Sequence, residues 1–231
     1  MSPQPRSDKT RVLIVEDHPM FRERLAELIN KEPDMRVCGA ADNIRDALVL
    51  VQSVDAQIAV VDISLKGASG LELIKDMSAR GMSLPVLVLS MHDESLYAER
   101  ALRAGAKGYI SKQEPSERIM TAIRQIIHGE TYISSKIVTR IVNTLSSGPA
   151  HVSGVARLTD RELEVFDLIG RGQTTREIGA RLHLGSSTVE TYRARIKTKL
   201  NLENAGQLSH EAIRWVQESQ TSAGNGSLGS P

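Results

Sequence analysis

Five short apolar runs alternate with five amphipathic stretches along the first half of the chain. The runs are Val12–Val15, Met35–Ala40, Ile58–Val61, Pro85–Ser90 and Gly108–Ile110; the stretches are Phe21–Ile29, Ile44–Val51, Leu71–Met77, Leu96–Ala104 and Ile119–Ile127. Val12-Leu13-Ile14-Val15 shows no polar alternation, which suits a strand buried on both faces of a parallel sheet. Such alternation predicts an α/β domain over residues 8–130: a doubly wound, five-stranded parallel sheet with helices on its faces. Ligands in that architecture bind at the carboxyl ends of the strands.

After Gly129 the pattern changes. Residues 131–156 read as a linker, with a helical stripe over 134–145 (Ile137, Val138, Ile141, Val142, Leu145) ended by Ser146-Ser147-Gly148-Pro149-Ala150. From 157 to 218 the pattern is helical throughout, which predicts a second, all-α domain. Residues 219–231, rich in Ser and Gly, are expected to be disordered. The net charge of +1 announces no nucleic acid, so such a partner must be met by a local patch. The single cysteine, Cys38, excludes an internal disulfide framework and is expected to be a buried, inert thiol. No apolar stretch approaches the roughly 20 residues of a membrane span, and the N-terminus lacks a signal-peptide core. A cytoplasmic protein with no membrane partner is expected.

The strand ends carry the chemistry. Glu16 and Asp17 follow the first run, Asp62 the third; Ser90 ends the fourth, and Tyr109 and Lys112 lie at the fifth. In a parallel sheet these residues share one edge. Three carboxylates bring about −3 at neutral pH, and Lys112 with a magnesium ion supplies +3. Magnesium favours carboxylate oxygens, retained waters and a phosphate. Acids that merely face solvent would leave the serine and lysine at the other strand ends unexplained. A carboxylate beside a metal can act as nucleophile toward phosphorus. Asp62, central in the expected sheet, is the better nucleophile, with Glu16 and Asp17 holding metal.

VLIVEDH, VVDISL, VLVLSMHD and GAKGYISK together resemble the receiver domains of bacterial two-component response regulators, a flavodoxin-like fold. The resemblance implies that Asp62 accepts a phosphoryl group from a histidine kinase and that the Ser64 backbone carbonyl completes the magnesium site. It implies further that Ser90 and Lys112 contact the phosphoryl oxygens and that Tyr109 switches rotamer. The family often has Pro after the acceptor, where this chain has Leu65-Lys66-Gly67.

In the second domain Thr159 and Glu162 form a capping-box pattern. Gly170 to Gly172 stop that helix, Thr174 or Thr175 starts another, and His183-Leu184-Gly185-Ser186 makes a turn before a third helix capped by Ser187. Two helices joined by a tight turn predict a helix-turn-helix. On the third helix Val189, Ile196 and Leu200 share a stripe with Tyr192 beside it. Glu190, Thr191, Ala194, Arg195 and Thr198 lie opposite, bordered by Arg193, Lys197 and Lys199. That face suits a major groove between phosphate walls, though a plain basic solvent face is the alternative.

LTDRELEVFDLIGRGQTTREIGARLHLGSSTVETYRARIKTKLNL resembles the LuxR-type helix-turn-helix of NarL/FixJ-class regulators. The resemblance implies double-stranded DNA and the transcription machinery as partners, Ser187–Leu200 as recognition helix, and Glu190, Thr191 and Ala194 nearest the bases. Many members have Lys in place of Glu190; glutamate can accept from a cytosine amino group. The last helix, Gly206–Glu218, has Leu208, Ala212, Trp215 and Val216 along one side. The resemblance implies that it pairs two DNA-binding domains in a phosphorylated homodimer; packing within its own domain is the alternative. A magnesium-dependent phosphatase is the rival from another class. It needs an acid two residues after the nucleophile, where this chain has Ser64.

Overall fold

The computed structural model describes residues 9–91, 94–135, 137–139 and 154–224. The chain forms two compact units that divide after Val138.

In the first unit β1 (Thr10–Val15), β2 (Met35–Ala41), β3 (Ile58–Val61), β6 (Val86–Ser90) and β7 (Gly108–Ser111) form a parallel sheet of order β2-β1-β3-β6-β7. Between them run α1 (Pro19–Lys31), α2 (Ile44–Ser53), α3 (Gly70–Ala79), α4 (Glu94–Ala104) and α5 (Ser116–Ile127). One sheet face packs Val12, Ile14, Val60, Leu87 and Ile110 against Leu25 and Ile29 of α1 and Ile119, Ile123 and Ile126 of α5. Leu13, Val15, Ala59, Val61 and Val88, on the other face, are buried as fully. Each such side chain contributes about 1.5–3 kcal/mol, so the two-sided burial implied by the unbroken apolar runs is what fixes the sheet. The β1–β2 register shifts beside Cys38, which is half-buried rather than buried; partial desolvation still pushes its thiol pKa up and keeps it protonated.

Beyond Asp62 the chain makes a small antiparallel hairpin, β4 (Ser64–Leu65) with β5 (Ala68–Ser69). The turn is Lys66-Gly67, so the absence of Pro leaves the loop ordered. Gly70 then opens α3 at van der Waals limit: a Cβ there would sit 1.9 Å from the Asp62 carbonyl oxygen. Any side chain at this position would displace the backbone of Asp62.

The expected linker starts too early. Tyr132 bridges to Gly108 beside the edge strand β7, its carbonyl accepting from the Tyr109 N–H at 2.9 Å and its N–H donating to Lys107 at 3.0 Å. Ile137 is buried. Residues up to Val138 therefore belong to the first unit. Of the helix expected over 134–145, Ser135 and residues 137–139 are helical; residues 140–153 lie outside the described residues.

In the second unit a 3-10 turn, Gly154–Arg157, buries Val155, so the unit starts before residue 157. It continues through α6 (Asp160–Gly170), α7 (Thr175–Leu182), α8 (Ser186–Leu200) and α9 (Ala205–Gly224). Helix α9 runs past Glu218 to Gly224, which shortens the expected disordered tail; residues 225–231 lie outside the described residues. Thr159 with Glu162, and Thr174 with Glu177, form complete capping boxes on α6 and α7. The N-cap of α8 is Gly185, not Ser187. His183 turns left-handed (φ 54°) and the Leu184 N–H bonds the Gly179 carbonyl at 2.8 Å, reversing the chain early enough for α8 to start at Ser186. Gly179 permits that turn, since a Cβ would meet the Leu184 oxygen at 2.7 Å.

Candidate functional site

Strand order reverses at β1, whose neighbours are β2 and β3, and the crevice beyond β1 and β3 is where this topology leaves room for a ligand. Glu16 and Asp17 leave β1 there and Asp62 leaves β3. The Asp62 N–H still bonds Val15 (2.9 Å) and the Glu16 N–H bonds Ala41 (3.0 Å), so regular sheet pairing holds the acids in place. All three are nearly fully buried. Glu16, Asp17, His18 and Asp62 each offer a ligand atom, all within 4.8 Å of one another.

Lys112 reaches in from the end of β7, its Nζ 2.6 Å from Glu16 Oε2 and 2.8 Å from Asp62 Oδ2. The ammonium also lies 4.5 Å from the Phe21 ring centroid. Burial pulls its pKa down, but the Asp62 and Glu16 carboxylates outweigh that and hold it above the ordinary lysine value. Three carboxylates against one ammonium leave about −2 in a buried pocket. This is a donor set for a hard divalent cation. Ser90 and Tyr109 are buried on the neighbouring strands, and the Lys112 N–H donates to the Ser90 carbonyl at 2.8 Å, joining the ends of β6 and β7. Ser64 is half-buried at the start of β4.

Two neighbours of the cluster were not anticipated. Arg22 donates to the Glu16 carbonyl at 2.6 Å, and the His18 Nδ1 lies 2.8 Å from Asp17 Oδ1. The position of His18, directly after the acidic pair, was the available signal; nothing in the sequence marks Arg22.

On α8, Val189 and Ile196 are buried and Tyr192 and Leu200 half-buried, while Glu190, Thr191, Ala194, Arg195 and Thr198 are exposed. The expected face is therefore presented outward. The Thr175 hydroxyl at the start of α7 donates to Glu190 Oε1 at 2.7 Å, and Arg193 Nε lies 3.7 Å from the same oxygen. Arg195 and Lys197 form no ion pair among the described residues. Lys199 departs from expectation: its Nζ is 2.6 Å from Glu162 Oε2, the carboxylate that also accepts the Thr159 N–H at 2.7 Å. It belongs to the cap of α6 rather than to a free cationic border. Arg161 locks the same region, donating to Glu164 and to the Leu182 carbonyl (2.7 Å) at the end of α7, where a cation is favoured.

The apolar side of α9 follows the alternative of packing within its own domain. Leu208, Ala212 and Val216 are buried, and Trp215 packs on Phe166 of α6 with ring centroids 5.5 Å apart. Gly170 lets the helices touch, since a Cβ there would meet the Ala212 carbonyl at 2.4 Å. Leu208, Ala212 and Val216 thus fill their own domain, while Trp215 is half-buried; Ile213 is the exposed large apolar residue of this helix among those described.

Residues 12–124 match the response regulator receiver domain family, and residues 156–212 match the luxR family of bacterial regulatory proteins. The chain is 30% identical over 203 residues to the response regulator UvrY of Escherichia coli, covering 88% of this chain and 93% of UvrY. It is 31% identical over 211 residues to the oxygen regulatory protein NreC of Staphylococcus haemolyticus, covering 88% of this chain and 97% of NreC. Its fold resembles that of RcsB from Salmonella enterica serovar Typhimurium, solved on the promoter rprA with the phosphomimetic BeF3- (TM-score 0.57, 22% identity, 89% of this chain and 99% of that one). No described helix is long and apolar enough to cross a membrane. The chain belongs to the two-component response regulators of the NarL/FixJ class, with a receiver domain joined to a LuxR-type DNA-binding domain.

Proposed function

We propose that Asp62 accepts a phosphoryl group from a histidine kinase and that this event, in the cytoplasm, controls DNA binding by α8. The observation that carries the reading is the buried Asp62 carboxylate, held 2.8 Å from Lys112 at the reversal point of the sheet beside Glu16 and Asp17. An Asp62 carboxylate oxygen attacks phosphorus, the phosphorus–nitrogen bond of the donor phosphohistidine breaks, and the released imidazole takes up a proton. Lys112, already between Glu16 and Asp62, stays beside the new phosphoryl oxygens. Magnesium held by Glu16, Asp17, Asp62 and the Ser64 carbonyl would neutralise charge on the incoming group. The Ser90 hydroxyl then bonds the phosphoryl group, and Tyr109 on the adjacent strand responds to that shift. Ser64, two residues beyond the acceptor, has too weak an acid for phosphatase turnover, which favours a regulator over an enzyme.

At the output, Glu190, Thr191 and Ala194 meet base edges, and Arg193, Arg195 and Lys197 meet phosphates. The phosphorylated protein binds DNA as a homodimer and presents the transcription machinery with a bound promoter. Incubation with acetyl phosphate and magnesium should add one phosphoryl mass to the wild type and none to Asp62→Asn. Wild-type labelling of that variant would remove Asp62 from its role.

A further inference from the structure

His18 has no part in the reading above, yet its imidazole is turned into the acidic cluster. It precedes Pro19, which steers a residue to extended backbone, and it sits there at φ −82°, ψ 109° as N-cap of α1. Its side chain makes no capping bond. Instead its N–H donates to Glu16 Oε1 at 3.0 Å, and Nδ1 lies 2.8 Å from Asp17 Oδ1 and 3.2 Å from Glu16 Oε1. Adjacent ligands of an octahedral ion with bonds of about 2.1 Å sit about 3.0 Å apart. The two observed separations straddle that figure. The His18 side chain is 59% exposed, which sets the cluster beside solvent.

We propose that His18 Nδ1 is a direct ligand of the divalent ion at this site and that the site thereby favours transition-metal ions, of the cobalt and zinc class, over magnesium. The inference rests on the metal reading of Glu16, Asp17 and Asp62. Imidazole is a good ligand for borderline ions such as zinc, iron and nickel, whereas magnesium takes oxygen ligands and gives up water reluctantly. Carboxylates alone already favour the later first-row ions modestly. A nitrogen donor among them separates the classes by bond type.

The test uses the full chain, freed of metal by chelation and titrated separately with Co2+ and Mg2+ by calorimetry. Co2+ should bind the wild type about tenfold or more tighter than Mg2+, and His18→Gln should shrink that ratio by about tenfold. In the wild type, where folding of a variant is not in question, the ¹⁵N resonance of His18 Nδ1 should move much further on addition of Zn2+ than of Mg2+. An unchanged Co2+ to Mg2+ ratio in His18→Gln, or a still Nδ1 resonance with Zn2+ bound, overturns the proposal. Failure of either ion to bind the wild type, or binding unaffected by Asp62→Asn, overturns the underlying metal reading instead.

Discussion

Replacing Lys112 with Met keeps an apolar stem over Phe21 and removes the only cation paired with both Glu16 and Asp62 among the described residues. Lys112 is 6% exposed and its two partners are 3% and 4% exposed, so solvent screens little of the interaction. Removing one partner of a buried pair leaves uncompensated charge and costs about 3–5 kcal/mol. Because the strand ends lie at the sheet edge, the lower figure applies, about 3 kcal/mol. For a unit of this size that lowers the midpoint of thermal unfolding by about 10 °C. Calorimetry of the full chain without metal, resolving the receiver transition, reads the shift directly. Divalent metal should narrow the gap, because an ion that binds only the folded state supplies the missing positive charge. The ammonium has a raised pKa in the folded state, so its contribution is complete below its unfolded value of about 10.4 and is lost as pH climbs through the folded one. The gap should therefore stay level from pH 7 to 10. A variant melting within 2 °C of the wild type in the absence of metal (well under the roughly 10 °C expected) would refute the view that Lys112 holds an otherwise overcharged pocket together.

Lys197→Ala should weaken DNA binding across all sequences and reduce the salt slope by about 1, whereas Lys199→Ala, which loses its bond to Glu162, should leave the slope alone; filter binding at several salt concentrations separates them. The Lys199 change should instead destabilise the second unit by about 1 kcal/mol after allowance for its partial exposure, read by chemical denaturation. Burial pushes the Glu162 pKa up, but Lys199 and Thr159 overcome it and hold it below the ordinary glutamate value. The bond's contribution is thus present above about pH 4.3 and lost as pH falls through the depressed value, so the two proteins should converge in acid. Glu190→Ala should relax base preference at one position, and Thr175→Val, which removes one hydrogen bond to the Glu190 carboxylate, should do so more mildly in a randomised-site selection.

Strands such as Val12–Val15 and Ile58–Val61 were legible because a parallel sheet buries both faces and so demands unbroken apolar runs. Capping boxes were legible because both partners lie within one turn. The hairpin of Ser64–Leu65 with Ala68–Ser69 was not, since two-residue strands have no periodicity to read. Contacts between distant residues were equally hidden. Lys199 pairs with Glu162, and Thr175 bonds Glu190, through folds of the chain that helix patterning does not encode. The apolar stripe of α9 was visible, but a stripe does not say what covers it; Phe166 and Gly170 decide that. Tyr132 looked like linker because one paired residue at a sheet edge leaves no signature.

Phosphorylation of Asp62 is expected to govern what α8 does. Coupling of about 1–3 kcal/mol, the range common for linked sites, changes affinity by about 5- to 150-fold. The most direct measurement titrates the full chain, with and without a phosphoryl group on Asp62, against DNA carrying two half-sites, following affinity and stoichiometry together. Tighter, dimeric binding is expected of the phosphorylated form, with no response in Asp62→Asn. Equal affinity and stoichiometry for the two wild-type forms would contradict it.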